Sequence, residues 1–130
     1  MVDDGSKFDY TYNERLHDKL GQLINTLKED KHSRQAVVQI FHPDDLNKTG
    51  GDTRIPCSVD YQFLIRNDRL YMIYHMRSSD AIGHFAIDIW LSAEMMNYIV
   101  NLLKETYPKL KVGSLVFFAG SFHAYRGALS

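Results

Sequence analysis

The hydrophobic positions of this chain follow helical spacing in two long stretches. In residues 13–30, leucine and isoleucine recur every three or four positions with charged residues between them, which predicts an amphipathic helix. The stretch 87–106 has the same spacing and predicts the longest helix, which Pro108 ends because proline cannot continue a helix. The side chains expected on the apolar side of this second helix are Leu91, Met95, Tyr98, Ile99, Leu102 and Leu103.

Two adjacent stretches between these helices have the period of strands. Residues 59–66 alternate apolar and polar side chains, and this alternation places Gln62 on the face opposite the aromatic residues. Residues 69–76 are apolar on both sides, as in a central strand. The dipeptide Asn67-Asp68 between the two stretches predicts a tight turn, and hence a β-hairpin.

The remaining segments complete an α+β pattern. Residues 36–41 predict a buried strand, 114–118 predict another strand, and 42–53 hold proline, aspartate, asparagine and a glycine pair, which predicts a loop. Strands and helices in this order favour a mainly antiparallel or mixed sheet faced by helices. We expect residues 1–9 to form a loose N-terminal segment and residues 10–130 to form a single domain.

Composition narrows the class of function. The 130 residues carry 15 basic and 16 acidic side chains, so the net charge of −1 provides no field for holding nucleic acid or an anionic membrane. No apolar run has the length of a membrane span, the first residues do not resemble a signal peptide, and a single cysteine fits a reducing compartment. These features predict a soluble cytoplasmic protein. The histidine spacing indicates no metal site.

Cys57 is the only cysteine, and it stands directly before a predicted strand. A disulfide within the chain is excluded, and a site with one thiolate has too few ligands for a structural zinc ion. Gln62 follows five residues later and Arg77 twenty residues later, so an amide and a cation accompany the thiol. From the residues alone, Cys57 is either a nucleophile beside an anion-binding group or a small side chain filling the core.

Five short motifs together resemble one enzyme family over residues 10–125. They are Ser33-Arg34 between a helix and a strand, Pro56-Cys57, Gln62 five residues on, Arg77-Ser78-Ser79-Asp80, and His123-Ala124-Tyr125. In this order and at these intervals they resemble the motifs of thymidylate synthases and of the related deoxycytidylate hydroxymethylases. The resemblance implies a thymidylate synthase-like fold and a homodimer packed sheet to sheet.

The resemblance also implies a reaction. The Cys57 thiolate adds to carbon 6 of a pyrimidine nucleoside monophosphate, and carbon 5 then takes up the one-carbon unit of 5,10-methylenetetrahydrofolate. Cysteine suits this role because a few per cent of an ordinary thiol is ionised at neutral pH and the thiolate is a strong nucleophile. In a hydroxymethylase, water rather than hydride completes the reaction.

The family motifs assign the phosphate group of the substrate to arginine and serine. Arg77 and Arg34 become phosphate ligands, because a guanidinium matches phosphate oxygens, and Ser78 becomes a further ligand. In the family the arginine at the position of Arg34 reaches into the partner subunit's site, which implies a dimer with shared active sites. The second family arginine is replaced by Gln35, which is expected to weaken phosphate binding.

Other motif residues surround the sugar and the base. His123 and Tyr125 hold the sugar hydroxyl, since both side chains donate and accept hydrogen bonds. Gln62 belongs to the substrate site, and Asp80 belongs to the polar network around pyrimidine and folate, with a catalytic role. Alternatives remain for three of these residues: His123 and Tyr125 as packing at a strand end, and Asp80 as the cap of the following turn.

Asp88 bears on which base is bound. Counted from Arg77, it takes the place of an asparagine that reads the uracil edge in thymidylate synthases, and deoxycytidylate hydroxymethylases have aspartate there. A carboxyl can accept from the cytosine amino group and share a proton with the ring nitrogen, so Asp88 favours cytosine. Ser58 after the nucleophile and Ser121 before His123 are also hydroxymethylase-like. Alternatively, Asp88 is a charge that stabilises the N-terminus of the long helix.

The family enzymes are about twice the length of this chain. In them an upstream segment supplies an arginine loop, a proton-transfer glutamate and an aromatic folate contact, and a downstream tail closes over folate. Three functions therefore stay open: a dCMP or CMP hydroxymethylase-like transferase, a thymidylate synthase acting on dUMP, or a catalytically weak member that binds pyrimidine nucleotide or a protein partner.

Overall fold

The computed structural model describes residues 16, 19–48 and 55–126. The first helix, α1, covers 19–29, so the helix predicted over 13–30 is confirmed in its described part. The predicted loose segment 1–9 lies outside the described residues. No helix in the described part of the chain is long and apolar enough to cross a membrane.

Four strands, a short 3-10 helix and a long α-helix follow α1. They are β1 (Val37–Gln39), the 3-10 helix (Pro43–Lys48), β2 (Ser58–Arg66), β3 (Arg69–Asp80), α2 (Phe85–Leu103) and β4 (Lys111–His123). The sheet order is β1-β2-β3-β4, with antiparallel pairs except for the parallel pair β3–β4. The α+β class with a mixed sheet is confirmed. The loop predicted over 42–53 is corrected, because its first half forms the 3-10 helix.

The β2–β3 hairpin has the predicted turn. Asn67 and Asp68 have φ values of 52° and 60°, the left-handed conformation that matches a two-residue turn to the twist of its strands. This turn fixes the register, in which Arg66 pairs with Arg69 and Tyr61 pairs with Tyr74. The central position predicted for the second hairpin strand is confirmed, because β3 lies between β2 and β4.

The outer strands differ from their predicted lengths. β1 has three residues instead of six and is an edge strand, in which Val38 is buried and Val37 is about half exposed. β4 has thirteen residues instead of five, because it pairs with β3 from Arg69 to Asp80 and the ladder continues through its glycines. This extension brings His123 into the strand, level with Asp80.

One face of the sheet is covered by both helices. Phe63, Met72 and Leu70 of the sheet are fully buried in one cluster with residues of α1 and α2. The side of α2 predicted to be apolar is wrong in part, because Leu91 and Tyr98 are more than half exposed. The helix is apolar around most of its circumference, so periodicity alone did not define the buried side. The buried residues of α2 are Ser92, Met96, Ile99, Val100 and Leu103.

The opposite face of the sheet, which we call the open face, has no helix against it among the described residues. Paired residues of parallel strands point to the same face, so His75 and Phe118 lie together there, with their rings 5.9 Å apart. Val116 is 49% exposed and Phe118 is 63% exposed. Gln62 also lies on this face, opposite Tyr61 and Phe63 as predicted.

Candidate active site

Cys57 and Arg77 lie side by side where β2 begins. The backbone N–H of Arg77 donates to the Cys57 carbonyl at 2.8 Å, and Nη2 of Arg77 lies 4.0 Å from the Cys57 Sγ. The guanidinium is held in this position by the carbonyls of Pro56 and Ile55, at 2.9 and 3.1 Å. Cys57 is half-buried against the core, and a fixed cation beside its sulfur is the electrostatic complement of a thiolate.

Arg77 retains hydrogen-bonding capacity for an anion. Its side chain is exposed, and no described residue accepts a hydrogen bond from Nη1. Ser78 follows in β3 and is half-buried, level with Ser121 of β4. A guanidinium anchored on one side and open on the other can bind phosphate oxygens without losing the contacts that orient it.

Asp80 forms the turn after β3. Its Oδ1 accepts hydrogen bonds from the backbone N–H groups of Gly83 and Ile82, both at 3.1 Å. The Gly83 bond is the main cause of a lowered pKa of Asp80, and the Ile82 bond and the nearby His84 and His123 act in the same direction. The capping alternative for Asp80 is therefore realised in the structure. Its second oxygen, Oδ2, makes no hydrogen bond to a described residue.

His123 and Tyr125 lie at the same end of the sheet as Asp80. His123 is level with Asp80, and its carbonyl accepts from the Ala81 N–H at 2.6 Å. Its Nδ1 lies 3.3 Å from the Ser121 hydroxyl, and its ring packs edge-on against Tyr125 at 5.1 Å. In the described residues no three His, Cys, Asp or Glu side chains form a group that could hold a metal ion.

Five predicted site residues thus share one edge of the sheet. β3 and β4 are parallel and end at this edge, while the antiparallel β2 begins there. Cys57 directly precedes the first residue of β2, and Arg77 lies three residues before the end of β3. The residues that this arrangement gathers are Cys57, Arg77, Ser78, Asp80 and His123.

Arg34 and Gln62 lie elsewhere in the same chain. The Gln62 Nε2 donates to the Arg34 carbonyl at 3.1 Å, and Gln62 pairs with Val37. Gln62 stands five residues from Cys57, about 16 Å away along an extended strand, so the Arg34 backbone lies away from the Cys57 end of β2. No contact between described residues joins Arg34 to Cys57 or Arg77.

Asp88 lies in the first turn of α2, on the helix side that faces the sheet. It is one turn before Ser92 and two turns before Met96, both buried, and the Ser92 hydroxyl donates to the Asp88 carbonyl at 2.8 Å. Burial raises the pKa of the Asp88 carboxyl, and His84 opposes this effect. The Asp88 charge in turn contributes to a raised pKa of Tyr61, of which burial is the main cause.

Sequence reasoning singled out Ser58 but missed that its hydroxyl is buried together with the side chains of Tyr61 and Tyr74. Ser58 and Tyr74 are hydrogen-bonded at 2.5 Å, and the Tyr61 and Tyr74 rings pack edge-on at 4.8 Å. A signal was present: a two-residue turn at Asn67-Asp68 requires that residues numbered 61 and 74 pair. Ser58 faces inward because the register shifts between Ser58 and Asp60.

Comparison with known proteins assigns the chain to a family. Residues 5–130 match the family model described as thymidylate synthase. The chain is 30% identical to a putative thymidylate synthase of Methanocaldococcus jannaschii, covering 91% of this chain and 52% of that protein. It is 31% identical to a thymidylate synthase of Mycoplasma genitalium, with 83% and 35% covered. It is 28% identical to a deoxyuridylate hydroxymethyltransferase of Bacillus phage SP01, with 95% and 35% covered.

The matches cover most of this chain but only part of each relative. The chain spans about a third to a half of the length of these relatives. The family model, in contrast, covers almost all of the chain, including every predicted site residue from Arg34 to Tyr125. This chain belongs to the thymidylate synthase family.

Proposed function

We propose that this chain is a pyrimidine nucleotide carbon-5 transferase that uses 5,10-methylenetetrahydrofolate and acts as a dCMP or CMP hydroxymethylase. The observation that carries the proposal is the contact between the Cys57 sulfur and the anchored Arg77 guanidinium, at 4.0 Å. This pair stands at a sheet edge with Ser78, Asp80 and His123. A thiol, a phosphate-binding cation and sugar-binding groups are the parts that such a reaction requires.

Cys57 acts as the nucleophile. Its thiolate forms a bond to carbon 6 of cytosine, and the electrons of the 5,6 double bond form a new double bond between carbons 4 and 5. The electrons of the double bond between carbon 4 and nitrogen 3 pass to nitrogen 3, which takes up a proton. Carbon 5 becomes nucleophilic as a result. A half-buried sulfur beside a cation suits this step, because it is accessible to the substrate while its negative charge is compensated.

The phosphate and the sugar orient the base over the sulfur. Arg77 binds the phosphate through the N–H groups that its anchoring carbonyls leave available, and the Ser78 hydroxyl adds a donor. His123 and Tyr125 hold the sugar hydroxyl at the end of β4. Holding the phosphate and the sugar fixes carbon 6 near the sulfur, which lowers the entropic part of the barrier.

Asp88 reads the base edge and favours cytosine. A carboxyl whose pKa is raised by burial keeps its proton to higher pH than an exposed carboxyl does. One oxygen then accepts from the cytosine amino group while the other shares a proton with the ring nitrogen. Protonation at that nitrogen also helps carbon 6 to accept the thiolate.

Methylenetetrahydrofolate, when bound, supplies the one-carbon unit that carbon 5 takes up. The described residues fit this group in one respect: the half-buried Asp80 has an oxygen, Oδ2, that makes no hydrogen bond to a described residue and that can accept from N–H groups of a pterin ring. The first oxygen is engaged by the turn, so the carboxylate is held in place for such a contact.

The active unit is a homodimer that pairs two open faces. The Arg34 backbone lies beside Gln62 and away from the Cys57 end of β2, which supports a phosphate contact made in the site of a second chain. The open face carries large apolar side chains, Val116 and Phe118 among them, that are exposed to solvent in a single chain. Pairing these faces buries the apolar surface and carries each Arg34 toward the other chain's site.

Two other candidates stand beside this proposal. The phage relative is named a deoxyuridylate hydroxymethyltransferase, which favours uridylate as the substrate of this chain as well. The other candidate is a catalytically weak family member that binds pyrimidine nucleotide or a protein partner. Both alternatives keep Cys57 and Arg77 at a nucleotide site, and they differ from the main proposal in base choice or in rate.

Calorimetric titration of the chain with dCMP and with dUMP tests the proposal. We expect binding of dCMP that is at least about tenfold tighter than binding of dUMP, since mismatched hydrogen bonds at a buried edge reject a substrate strongly. Tighter binding of dUMP supports the uridylate alternative. Binding of neither nucleotide overturns the proposal.

A turnover assay then separates an enzyme from a binder. With methylenetetrahydrofolate present, the chain is expected to release hydrogen from carbon 5 of the preferred nucleotide, and Cys57→Ala is expected to abolish release while nucleotide binding remains. Binding without release in the unaltered chain identifies a binding protein.

A further inference from the structure

Three basic side chains lie level with one another at the hairpin end of the open face. Arg66 of β2 pairs with Arg69 of β3, and Arg69 pairs in turn with Lys111 of β4. The residue next to each of them along its strand packs in the core on the helix-covered side, so the three basic side chains point to the open face. We call these three residues the cation row.

No described residue neutralises the charge of the cation row. None of its side chains forms an ion pair with a described residue, and the Arg66 guanidinium donates only to the carbonyls of Ile65, at 2.6 Å, and His32, at 3.5 Å. Arg69 and Lys111 are exposed. Residues that are level on neighbouring strands have Cβ atoms about 5 Å apart, so like charges there repel and destabilise the sheet. An anion bound across the row removes this repulsion.

The other end of the open face has a different balance of charge. Asp60 of β2 alternates with the buried Tyr61 and pairs with His75, so its side chain lies on the open face. Arg77 follows two residues after His75, at the Cys57 edge, where the proposed function puts the nucleotide phosphate. Asp60 offsets the charge of Arg77, so a bound phosphate makes this end of the face negative.

A second copy can cover the open face with its strands aligned in either of two directions. When the strands of the two sheets run the same way, each cation row faces the other row, and removing both uncompensated rows from water is costly. When they run in opposite directions, each row lies over the Cys57 edge of the other copy.

The register supports the second arrangement. Gln62, the middle residue of β2, pairs with Ile73 of β3. Arg69 and Arg77 each stand four residues from Ile73, on opposite sides of it. A two-fold axis at the level of Ile73, across the strands, therefore brings Arg69 of one copy level with Arg77 of the other.

We propose that two open faces pair with their strands in opposite directions, and that Arg66, Arg69 and Lys111 of one copy bind the nucleotide phosphate in the active site of the other. The inference rests on the proposed function, because that function supplies both the dimer and the phosphate. Two carbonyls hold the Arg66 guanidinium, as two carbonyls hold that of Arg77, so both are oriented before an anion binds. Nucleotide binding and dimerisation then strengthen each other.

The direction of the two sheets is measured without nucleotide. Cys57 is the only cysteine, so a nitroxide label attaches to one known position in each copy. It stands five residues from Gln62, about 16 Å along the strand. Pulsed electron paramagnetic resonance is therefore expected to give about 30 Å or more between the two labels. Sheets that run the same way give about 20 Å or less, and this result overturns the inference.

Substitutions in the cation row test the phosphate contact. Arg69→Ala and Lys111→Ala are each expected to weaken dCMP binding about tenfold in calorimetry and to leave the binding of deoxycytidine, which has no phosphate, unchanged. Lys28→Ala is the matched control, because it removes an exposed positive charge from α1 on the other side of the sheet, and it is expected to keep both affinities. Circular dichroism confirms that each variant is folded.

A monomeric variant shows whether the contact crosses the interface. Val116→Asp puts a charge on the open face and is expected to be monomeric. In this background Arg69→Ala and Lys111→Ala are expected to leave the affinity for dCMP unchanged. An equal tenfold loss in the monomer means that the cation row acts within its own chain, which overturns the inference.

A free phosphate ion is the alternative ligand of the cation row. Arg69 and Lys111 also line an open cavity of about 320 Å³ with Asn67, Asp68 and Lys109. The Asp68 carboxylate in this lining opposes an anion, so inorganic phosphate is expected to bind at least about tenfold more weakly than dCMP. Inorganic phosphate that binds the Val116→Asp monomer as tightly as dCMP binds the dimer identifies a separate anion site and overturns the inference.

The outcomes separate this inference from the proposed function. If dCMP binds the unaltered chain but its affinity is unchanged in Arg69→Ala and Lys111→Ala, the inference is overturned while nucleotide binding stands. If neither dCMP nor dUMP binds the unaltered chain, the proposed function fails and the phosphate contact fails with it. A label distance of about 30 Å then supports the direction of the sheets alone.

Discussion

The two faces of the sheet are both apolar, but only one is covered within the chain. On the helix-covered face, Phe63 and Met72 are 0% exposed. On the open face, Val116 and Phe118 are 49% and 63% exposed. The helix-covered face therefore holds the chain folded, whereas the open face is the surface that we propose for binding a second copy of the chain.

The largest expected effect is on the helix-covered face. Phe63→Ala removes a fully buried ring from between the sheet and the helices, so it is expected to lower the free energy of unfolding by about 3–5 kcal/mol. Val37→Ala on the open face, where the side chain is half exposed, is expected to cost about 1 kcal/mol or less. Urea unfolding measures both, and equal losses contradict the contrast between the faces.

A charge on the open face is expected to break the dimer and spare the fold. Val116→Asp places a carboxylate in the proposed interface, so the dimer dissociation constant is expected to rise at least about 100-fold in sedimentation equilibrium. Asn97→Asp, an exposed site on α2, serves as the charge control and is expected to change nothing. An unaltered chain that stays monomeric at every concentration contradicts the sheet-to-sheet dimer.

Mixing two inactive variants tests whether the sites are shared. Arg34→Ala and Cys57→Ala are each expected to lose at least about 100-fold in activity, through phosphate binding and through the nucleophile. In dimers re-formed from an equal mixture, about half are mixed and hold one intact site, so up to about a quarter of the activity is expected to return. No recovery means that Arg34 does not act across the interface.

The smallest expected effect concerns Asp80 and pH. Its pKa is lowered from 3.8 in the folded chain, chiefly by the Gly83 N–H, so the carboxylate stabilises the turn above pH 3.8 and this contribution is lost as pH falls through the lower folded value. Asp80→Asn is expected to be less stable than the unaltered chain near pH 6, with the difference shrinking in more acidic urea titrations. A difference independent of pH contradicts this assignment.

The elements that local chemistry determines were predicted from sequence. Asn67-Asp68 accepts the left-handed conformation that a two-residue turn needs, so the hairpin and the central place of β3 followed. The length of β4 was not predicted, because the glycines and serines of 113–121 interrupt its apolar run. Only pairing with β3 holds them in the ladder. The prediction of which side of α2 is buried was wrong in part, because apolar residues occupy most of the circumference of this helix.

The candidate site was likewise predicted only in part from the sequence. The order of the motifs predicted that Cys57 and Arg77 share one site, and the structure places the two side chains in contact. For Asp80 the structure shows the alternative role as the cap of the turn, because the backbone N–H groups of Ile82 and Gly83 donate to its carboxylate. The hydrogen bond between Ser58 and Tyr74 was not predicted, because it depends on the strand register and on the irregularity at Ser58, neither of which a hydrophobic pattern encodes.

The central claim is that the Cys57 thiolate adds to carbon 6 of a pyrimidine nucleotide. Proton NMR of dCMP in heavy water, with the chain and methylenetetrahydrofolate, tests it directly, since addition at carbon 6 labilises the hydrogen at carbon 5. The account predicts loss of the carbon-5 hydrogen signal with the unaltered chain and none with Cys57→Ala. Retention of that signal in both dCMP and dUMP, under conditions where the nucleotide is bound, would contradict the account.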